Sequence, residues 1–225
     1  MSGKIEYLNS TYLLELSARK GARIFNRPDA LRSHNEKLTI AQFPEFMVPT
    51  LVTADQEQLR SFHAEYRDII LKPLNAMGGD GVFRIGEDGL NLGAAIEILT
   101  ASGRKAVMAQ RYIPDIVEGD KRVLLINGQV VPFALARIPQ KGEVRGNLAA
   151  CGTGRAQLLS ERDRQIAETL APVLADRGLF LVGLDIIGNW LTEVNVTSPT
   201  CFREIAQQTG FNVAGLFMDE LEKTV

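Results

Sequence analysis

Apolar residues in the N-terminal segment recur at near-helical spacing. Those between positions 5 and 16 predict one face of a helix that ends near Gly21, a residue that tolerates the left-handed C-cap. A short strand is predicted at residues 24–25. Pro28 can then open a second short helix toward residues 36–37, because proline loses no hydrogen bond in a first helical turn.

The middle of the chain reads as hairpins separated by helices. Short apolar runs bounded by turn residues predict strands, and apolar positions three and four apart predict helices. The predicted elements are a helix capped by Thr53 or Asp55, strands at 69–71 and 81–85 around a glycine-rich turn at 78–81, a helix at 92–99, a strand at 107–109, and a hairpin at 122–136 turning at 127–128.

The regular pattern stops between residues 139 and 154, which predicts a mobile surface loop. The remaining predicted elements are a helix capped by Ser160, a strand at 179–187, a returning strand at 190–196 and a final helix around 213–221. Hairpins between helices, without strict strand–helix alternation, favour an α+β fold over a doubly wound parallel sheet.

Composition narrows the classes of function. The 225 residues are 45% hydrophobic and 23% charged, which is typical of a globular protein with a substantial core. A net charge of −2 predicts neither nucleic acid nor an anionic membrane as a partner. We expect a cytoplasmic protein, because no signal-like segment or apolar run of about 18 residues occurs. Two cysteines and two histidines, far apart, predict no zinc site.

The hairpin at residues 69–85 carries candidate phosphate chemistry. Lys72 lies at a strand end, and the glycine-rich tip exposes N–H groups that phosphate oxygens can approach. No Gly-Lys-Ser/Thr sequence follows, so the segment does not fit the P-loop motif. Most glycine-rich tips are only turns, and this segment alone does not establish a phosphate site.

Three oxygen-bearing side chains interrupt the apolar C-terminal hairpin. Asp185, Glu193 and Asn195 are of the ligand type that suits Mg²⁺. A two-residue turn at 188–189 would pair position 185 with 192 and point Asp185 away from Glu193, whereas a three-residue turn would pair 185 with 193. A shared metal site requires the second register. The alternative interpretation is that Glu193 and Asn195 line a solvated face.

A cationic group flanks or lies within the predicted loop. It suggests binding of carboxylate or phosphate oxygens, which arginine can grip with two hydrogen bonds, although a solvated basic loop fits equally. The group consists of Lys121, Arg122, Arg137, Arg145 and Arg155.

Eight groups of residues, in order along the chain, resemble the prokaryotic glutathione synthetase family of the ATP-grasp superfamily. They are NEKL at 35–38, IILKPL at 69–74 with MGG at 77–79, MAQ at 108–110, GDKRV at 119–123, LARIPQ at 135–140, RGNLAA at 145–150, GLDIIG at 183–188 and LTEVNVTSPT at 191–200.

The resemblance implies an ATP-grasp fold in which two α/β subdomains hold ATP between them. The implied divisions are residues 1–33, a remnant of an N-terminal substrate domain, then 34–113 and 114–225 with a lid loop at 138–154. The family additionally has an α/β domain ahead of the NEKL segment, so we expect either homo-oligomers or association with that domain. Residues 151–154 replace a more glycine-rich run in the family's lid.

The resemblance also implies roles for individual residues. Those expected to contact ATP are Lys37, Lys72, Met77, Gly78, Gly79, Gln110, Arg111, Tyr112, Ile113 and Asp120, the last of these near the ribose. Those expected to act on the reacting groups are Arg122, Arg137 and Arg145. Those expected to bind Mg²⁺, with Mn²⁺ as an alternative, are Asp185, Glu193 and Asn195.

The implied reaction joins γ-glutamylcysteine to glycine, through an acyl phosphate formed with ATP. Two other functions share the ATP and metal residues. One is a ligase with another amine acceptor such as glutamate, and the other is a nucleotide-binding module without ligase activity.

Overall fold

The computed structural model describes residues 2–76, 78–140 and 153–224, with side chains from residue 5 onward. Within these ranges it is an α+β fold with two antiparallel sheets, as predicted. The helices are α1 Ser2–Arg19, α2 Pro28–Ser33, α3 Gln56–Tyr66, α4 Leu92–Thr100, α5 Glu161–Asp176, α6 Phe202–Thr209 and α7 Val213–Glu222. The strands are β1 Thr50–Thr53, β2 Ile69–Pro73, β3 Phe83–Ile85, β4 Val107–Arg111, β5 Asp120–Ile126, β6 Gln129–Ile138, β7 Thr153–Leu158, β8 Leu181–Ile187 and β9 Trp190–Asn195.

The first sheet has the order β1-β4-β2-β3 and carries α3 and α4 on one face. Asp55 caps α3 by accepting hydrogen bonds from two backbone N–H groups of its first turn. Ile69 and Leu71 of β2 are fully buried among the helix side chains. Because side chains alternate along a strand, Ile70 and Lys72 point to the opposite face.

The second sheet has the order β7-β6-β5-β8-β9 and is covered on both faces. Val123 and Leu125 pack in the cluster that contains α5, whereas Leu124 and Ile126 pack in the cluster that contains α6 and α7. Burial on both faces explains why residues 123–126 of β5 are all apolar, since successive side chains pack into opposite cores.

The strand predicted at residues 24–25 is wrong, because the segment forms no backbone ladder. Asn26 attaches it to the second sheet instead. Its side-chain Nδ2 donates to the carbonyl oxygens of Leu181 and Val196, each at 2.8 Å, and its Oδ1 accepts from the N–H of Leu181 at 2.7 Å. A side chain therefore satisfies the groups that a strand neighbour would have satisfied.

Four further elements differ from the prediction. The pattern analysis missed β1, β7 and α6, and α2 ends at Ser33 rather than near residue 37. Residues 153–154 of the predicted loop belong to β7, an edge strand that pairs with β6. Polar residues on an exposed edge strand give no apolar alternation, which explains the omission. Of the predicted lid, residues 141–152 lie outside the described part of the chain.

The helix α1 forms as predicted but leaves much of its apolar surface uncovered. Leu13 is 65% exposed, Ile5 is 58% exposed and Leu16 is 53% exposed. Its main attachment is to α2, where Glu15 pairs with Arg32. None of the described helices has the length and apolar character needed to cross a membrane.

Candidate functional site

A cleft of about 250 Å³ lies where side chains of the two sheets meet. The described residues that the sequence predicted for ATP, metal and reacting groups all line it: Lys37, Lys72, Gly78, Gly79, Gln110, Arg111, Tyr112, Ile113, Asp120, Arg122, Arg137, Asp185, Glu193 and Asn195. Met77 and Arg145, also predicted, lie outside the described residues.

Strand alternation explains how the polar residues of the second sheet come together. Asp120 and Arg122 alternate along β5 with buried Leu124, so the three side chains share one face of the strand. That face is opposite α5. Asp185 lies directly across the ladder from Arg122. Arg137 lies across from Asp120 on the other side of β5. Neighbouring strands thus place these four side chains on one face.

The hairpin of β8 and β9 pairs Asp185 with Glu193, but neither predicted turn length explains it. Ile187 pairs with Trp190, so the turn has two residues, and the register then shifts between Asp185 and Ile186. Thr192 is the extra residue of this β-bulge, and its hydroxyl donates to the Asp185 carbonyl oxygen at 3.1 Å. Both alternatives assumed an uninterrupted ladder. The bulge corrects that assumption and brings the two carboxylates opposite each other.

Two arginines hold Asp185. Arg122 donates from Nε to Oδ1 at 2.6 Å and from Nη2 to Oδ2 at 3.2 Å, and Arg137 Nη2 lies 2.9 Å from Oδ2. Burial by itself would raise the pKa of Asp185, but the two guanidinium groups keep this pKa below its ordinary value. The two ion pairs therefore favour the charged form of this carboxylate.

Asp120 has a different environment. Its Oδ2 accepts from Arg137 Nη2 at 2.6 Å, while its Oδ1 is buried and has no hydrogen-bond partner. Burial raises the pKa of Asp120 to about 7, against the opposing effect of Arg137. An unpartnered buried oxygen on the cleft wall is suited to accept a hydrogen bond from a ligand.

Two buried lysines enter the cleft from separate segments. Lys37 Nζ donates to the Ala76 carbonyl oxygen at 2.7 Å and lies 2.9 Å from Glu193 Oε1. Lys72 Nζ lies 3.5 Å from the Thr192 carbonyl oxygen. Burial lowers the pKa of Lys72, and the nearby Glu193 carboxylate partly offsets this. Both ammonium groups can therefore meet an anion in a setting with little water.

The sequence analysis missed the apolar walls of the cleft and several of its polar residues. Alternation along β2 and β8 could have found Ile70 and Ile187, which share faces with Lys72 and Asp185. Others come from loops that give no periodic signal. The missed lining residues are Glu36, Ile70, Ala76, Asp80, Val82, Ile116, Ile187, Thr192 and Thr200. Burial, and then the charge of Glu193, raise the pKa of Glu36.

Two members of the predicted cationic group do not line the cleft. Lys121 points to the opposite face of β5, where it pairs with fully buried Asp163 and donates to the Gly188 carbonyl oxygen at 2.9 Å. Asp163 also forms the capping box of α5 with Ser160. Arg155 is exposed on the edge strand β7. Lys121 therefore joins α5 to the sheet.

The carboxylate pair is compatible with a metal ion that keeps other ligands. No group of three histidine, cysteine, aspartate or glutamate residues that could hold a metal occurs among the residues described. Asp185 and Glu193 supply two carboxylates, and Asn195 follows two positions after Glu193 on the same strand. Two carboxylates with few other protein ligands suit Mg²⁺, which usually retains water and phosphate oxygens.

Comparisons with known proteins match residues 36–210 to the family described as prokaryotic glutathione synthetase, ATP-grasp domain. The glutathione synthetase of Ralstonia nicotianae is 67% identical over 219 residues, which cover 97% of this chain and 68% of that protein. The glutathione synthetase of Nitrosomonas europaea is 59% identical over 220 residues, covering 98% of this chain and 69% of that protein.

Solved structures show the same fold at low sequence identity. The crystal structure of D-cycloserine synthetase superposes with a TM-score of 0.76 at 18% identity, over 99% of this chain and 80% of that chain. The ATP-grasp ligase PsnB, solved with a precursor peptide and AMPPNP, superposes with a TM-score of 0.68 at 21% identity, over 99% of this chain and 70% of that chain. These likenesses support the ATP-grasp fold.

Proposed function

Because the chain belongs to the prokaryotic glutathione synthetase family, we propose that its cleft binds Mg-ATP and is where the chain joins γ-glutamylcysteine to glycine. The chain is an ATP-dependent ligase that forms glutathione. The observation that carries the placement is the convergence in one cleft of four buried cationic side chains with carboxylates, three of which the proposal uses. The four cations are Lys37, Lys72, Arg122 and Arg137, and the carboxylates are Asp120, Asp185 and Glu193.

ATP fits the distribution of polar and apolar groups along the cleft. Lys37 and Lys72 would hold phosphate oxygens beside Gly78 and Gly79, which carry no side chain of their own beside the backbone N–H. The segment from Gln110 to Ile113 would face adenine, with apolar residues on the walls around it. The unpartnered oxygen of Asp120 would accept a hydrogen bond from a ribose hydroxyl.

Asp185, Glu193 and Asn195 would hold Mg²⁺, or Mn²⁺ in its place, through oxygen atoms. When bound, the metal supplies charge neutralisation at the phosphate groups. The chain's own residues must orient the substrates and stabilise the remaining negative charge. Arg122 and Arg137 are suited to both tasks, because a guanidinium can donate two hydrogen bonds to a carboxylate or phosphate and stays charged at neutral pH.

The reaction has two balanced steps. The cysteinyl carboxylate of γ-glutamylcysteine attacks the γ-phosphorus of ATP, which forms an acyl phosphate and releases ADP. The glycine amine then attacks the acyl carbon, the new amide loses a proton, and phosphate leaves. Neither step requires a covalent bond to the protein, so the side chains act by position and charge. Exclusion of water would protect the acyl phosphate, and the role expected there of residues 138–154 and Arg145 falls largely outside the described residues.

We also propose the division of the chain that the resemblance implies. The first sheet ends at Arg111 and the second begins at Asp120, which supports the boundary between the proposed subdomains 34–113 and 114–225, although Ile40, Phe43 and Phe46 pack in the core of the second sheet. The segment 1–33 would then be the N-terminal division, although Asn26 and Ala30 attach its end to the second sheet and its core.

Acceptor choice provides the experimental test. Mass spectrometry of products formed from γ-glutamylcysteine with glycine, and separately with glutamate, should detect glutathione and no glutamate adduct. A glutamate adduct formed at a comparable rate would overturn the proposed acceptor. That alternative is not favoured, because the relatives compared are glutathione synthetases.

A further inference from the structure

Three cations of the cleft are already paired with the two carboxylates proposed to bind the metal. Lys37 Nζ lies 2.9 Å from Glu193 Oε1. Arg122 contacts both oxygens of Asp185, and Arg137 contacts the second of them at 2.9 Å. Each pair joins a residue proposed to bind phosphate or acyl phosphate with a residue proposed to bind the metal. In these pairs the proposed ligand-binding groups therefore neutralise one another.

These pairs oppose the binding of either ligand alone. A metal ion at Asp185 would meet two guanidinium groups, and a phosphate at Lys37 would meet the carboxylate of Glu193. Asp185, Arg122 and Arg137 are at most 6% exposed, so repulsion between like charges is screened less than at the surface. If either ligand binds alone, a buried charge is therefore left beside a charge of the same sign.

We propose that Mg²⁺ and the nucleotide bind by exchanging these partners, so that each strengthens the binding of the other. The proposal rests on the proposed function. Phosphate oxygens take Lys37, Arg122 and Arg137, while the metal replaces those cations at Asp185 and Glu193. Every charge keeps an opposite partner after the exchange. The cleft thereby selects the metal–nucleotide complex over free nucleotide or free metal.

Calorimetry on the full chain tests the exchange with AMPPNP as the probe. Mg²⁺ should lower the Kd of AMPPNP by about 5-fold to 150-fold, which is the usual range of coupling between two sites. Direct bonds between metal and phosphate would also produce such coupling, so the Glu193→Gln variant separates the two causes. Without metal, it should bind AMPPNP at least about 5-fold more tightly than the parent chain, because Lys37 is released and no carboxylate repels the phosphates. Mg²⁺ should increase the AMPPNP affinity of Glu193→Gln by a smaller factor than it increases that of the parent chain.

Glu118→Gln is the matched control, since it removes the same charge from an exposed residue outside the cleft. It should bind AMPPNP like the parent chain, with and without Mg²⁺. Thermal unfolding of each variant checks that it is folded. As a second measurement on the parent chain, ¹⁵N NMR of the Arg122 and Arg137 Nε–H groups should show large shifts when Mg²⁺ and AMPPNP are both present and small ones with either alone.

Two negative outcomes have different meanings. If the parent chain does not bind AMPPNP with Mg²⁺, the proposed function fails and the exchange fails with it. If Mg-AMPPNP binds but metal-free affinity is the same in Glu193→Gln and Glu118→Gln, Glu193 serves only as a metal ligand and the exchange is overturned while the proposed function stands. Arginine signals that do not shift at saturation with both ligands would overturn it in the same way.

Discussion

The side chain of Arg122 crosses the backbone of Gly183 so closely that a β-carbon at position 183 would lie 2.7 Å from Arg122 Cδ and 3.0 Å from its Nε. The same β-carbon would lie 2.8 Å from Cβ of Pro199. Gly183 belongs to β8, two positions before Asp185, on the same face of the strand. The absence of a side chain there allows Arg122 to reach Asp185.

Gly183→Ala should therefore move Arg122 and disturb its contact with Asp185. Overpacking of this kind costs about 1–3 kcal/mol of unfolding free energy, and loss of the arginine's position should raise KM for ATP. Urea unfolding and steady-state kinetics measure the two effects. Gly93→Ala in helix α4 is the matched control, because its β-carbon would make only ordinary 3.7 Å contacts with the Arg60 side chain of α3. Equal behaviour of the two variants would contradict the positioning role of Gly183.

Lys121 and Arg122 are adjacent in sequence but should have separable roles. Lys121→Met leaves Asp163 buried without its ammonium partner, which should cost about 3 kcal/mol of stability while KM for ATP stays unchanged. Arg122→Met should instead lower turnover by about 100-fold or more, the effect of losing a donor to developing charge. Chemical denaturation and kinetics of both variants make the comparison. A large rise in KM for Lys121→Met would contradict its assignment to the scaffold.

Asp120 should make stability depend on pH. Its folded-state pKa of about 7 lies above the ordinary value of 3.8, so the folded state binds the proton more tightly than the unfolded state. Its contribution is fully present below about pH 4 and is lost as pH rises through about 7. Relative to Asp120→Asn, the parent chain should lose roughly 4 kcal/mol of unfolding free energy over that window, from about three pKa units at about 1.4 kcal/mol each. Urea unfolding of both proteins at several pH values gives the difference, and a constant difference would contradict the raised pKa.

The exposed apolar face of α1 should promote self-association. Replacing Leu13 and Leu16 with glutamate should reduce the apparent mass in sedimentation experiments, because these side chains are 65% and 53% exposed and lie one helical turn apart. Stability should change by no more than about 0.5 kcal/mol. Leu90→Glu is the control, since Leu90 is 69% exposed outside α1. Unchanged association in the α1 variant would exclude this face as the contact.

The sequence predicted best those features that depend on local chemistry. Asp55 and Ser160 cap helices where the pattern indicated, and the turn at 127–128 has the positive φ angles that its Asn-Gly sequence favours. Asp185 could not be placed in the same way. Its position opposite Glu193 depends on a bulge at Thr192, and a bulge that changes register leaves no mark in the alternation of apolar residues.

The pattern of apolar and polar residues also could not predict features that depend on partners distant in sequence. Asn26 replaces a predicted strand pairing with side-chain hydrogen bonds to residues about 155 and 170 positions away. Lys121 and Arg122 are both cationic, so composition could not distinguish their roles. As adjacent residues of β5 they point to opposite faces of the sheet, and the two cores that cover those faces separate them. Sequence proximity indicated a cationic group, and only the sheet showed which of its members face the cleft.

The most direct measurement is ADP release by the purified chain with Mg-ATP, γ-glutamylcysteine and glycine, each omitted in turn. We expect ADP release that requires Mg-ATP and γ-glutamylcysteine and that is sustained only when glycine is present, with glutathione as the product. ATP binding without peptide-dependent ADP release would contradict the central claim that this cleft carries out the ligase reaction.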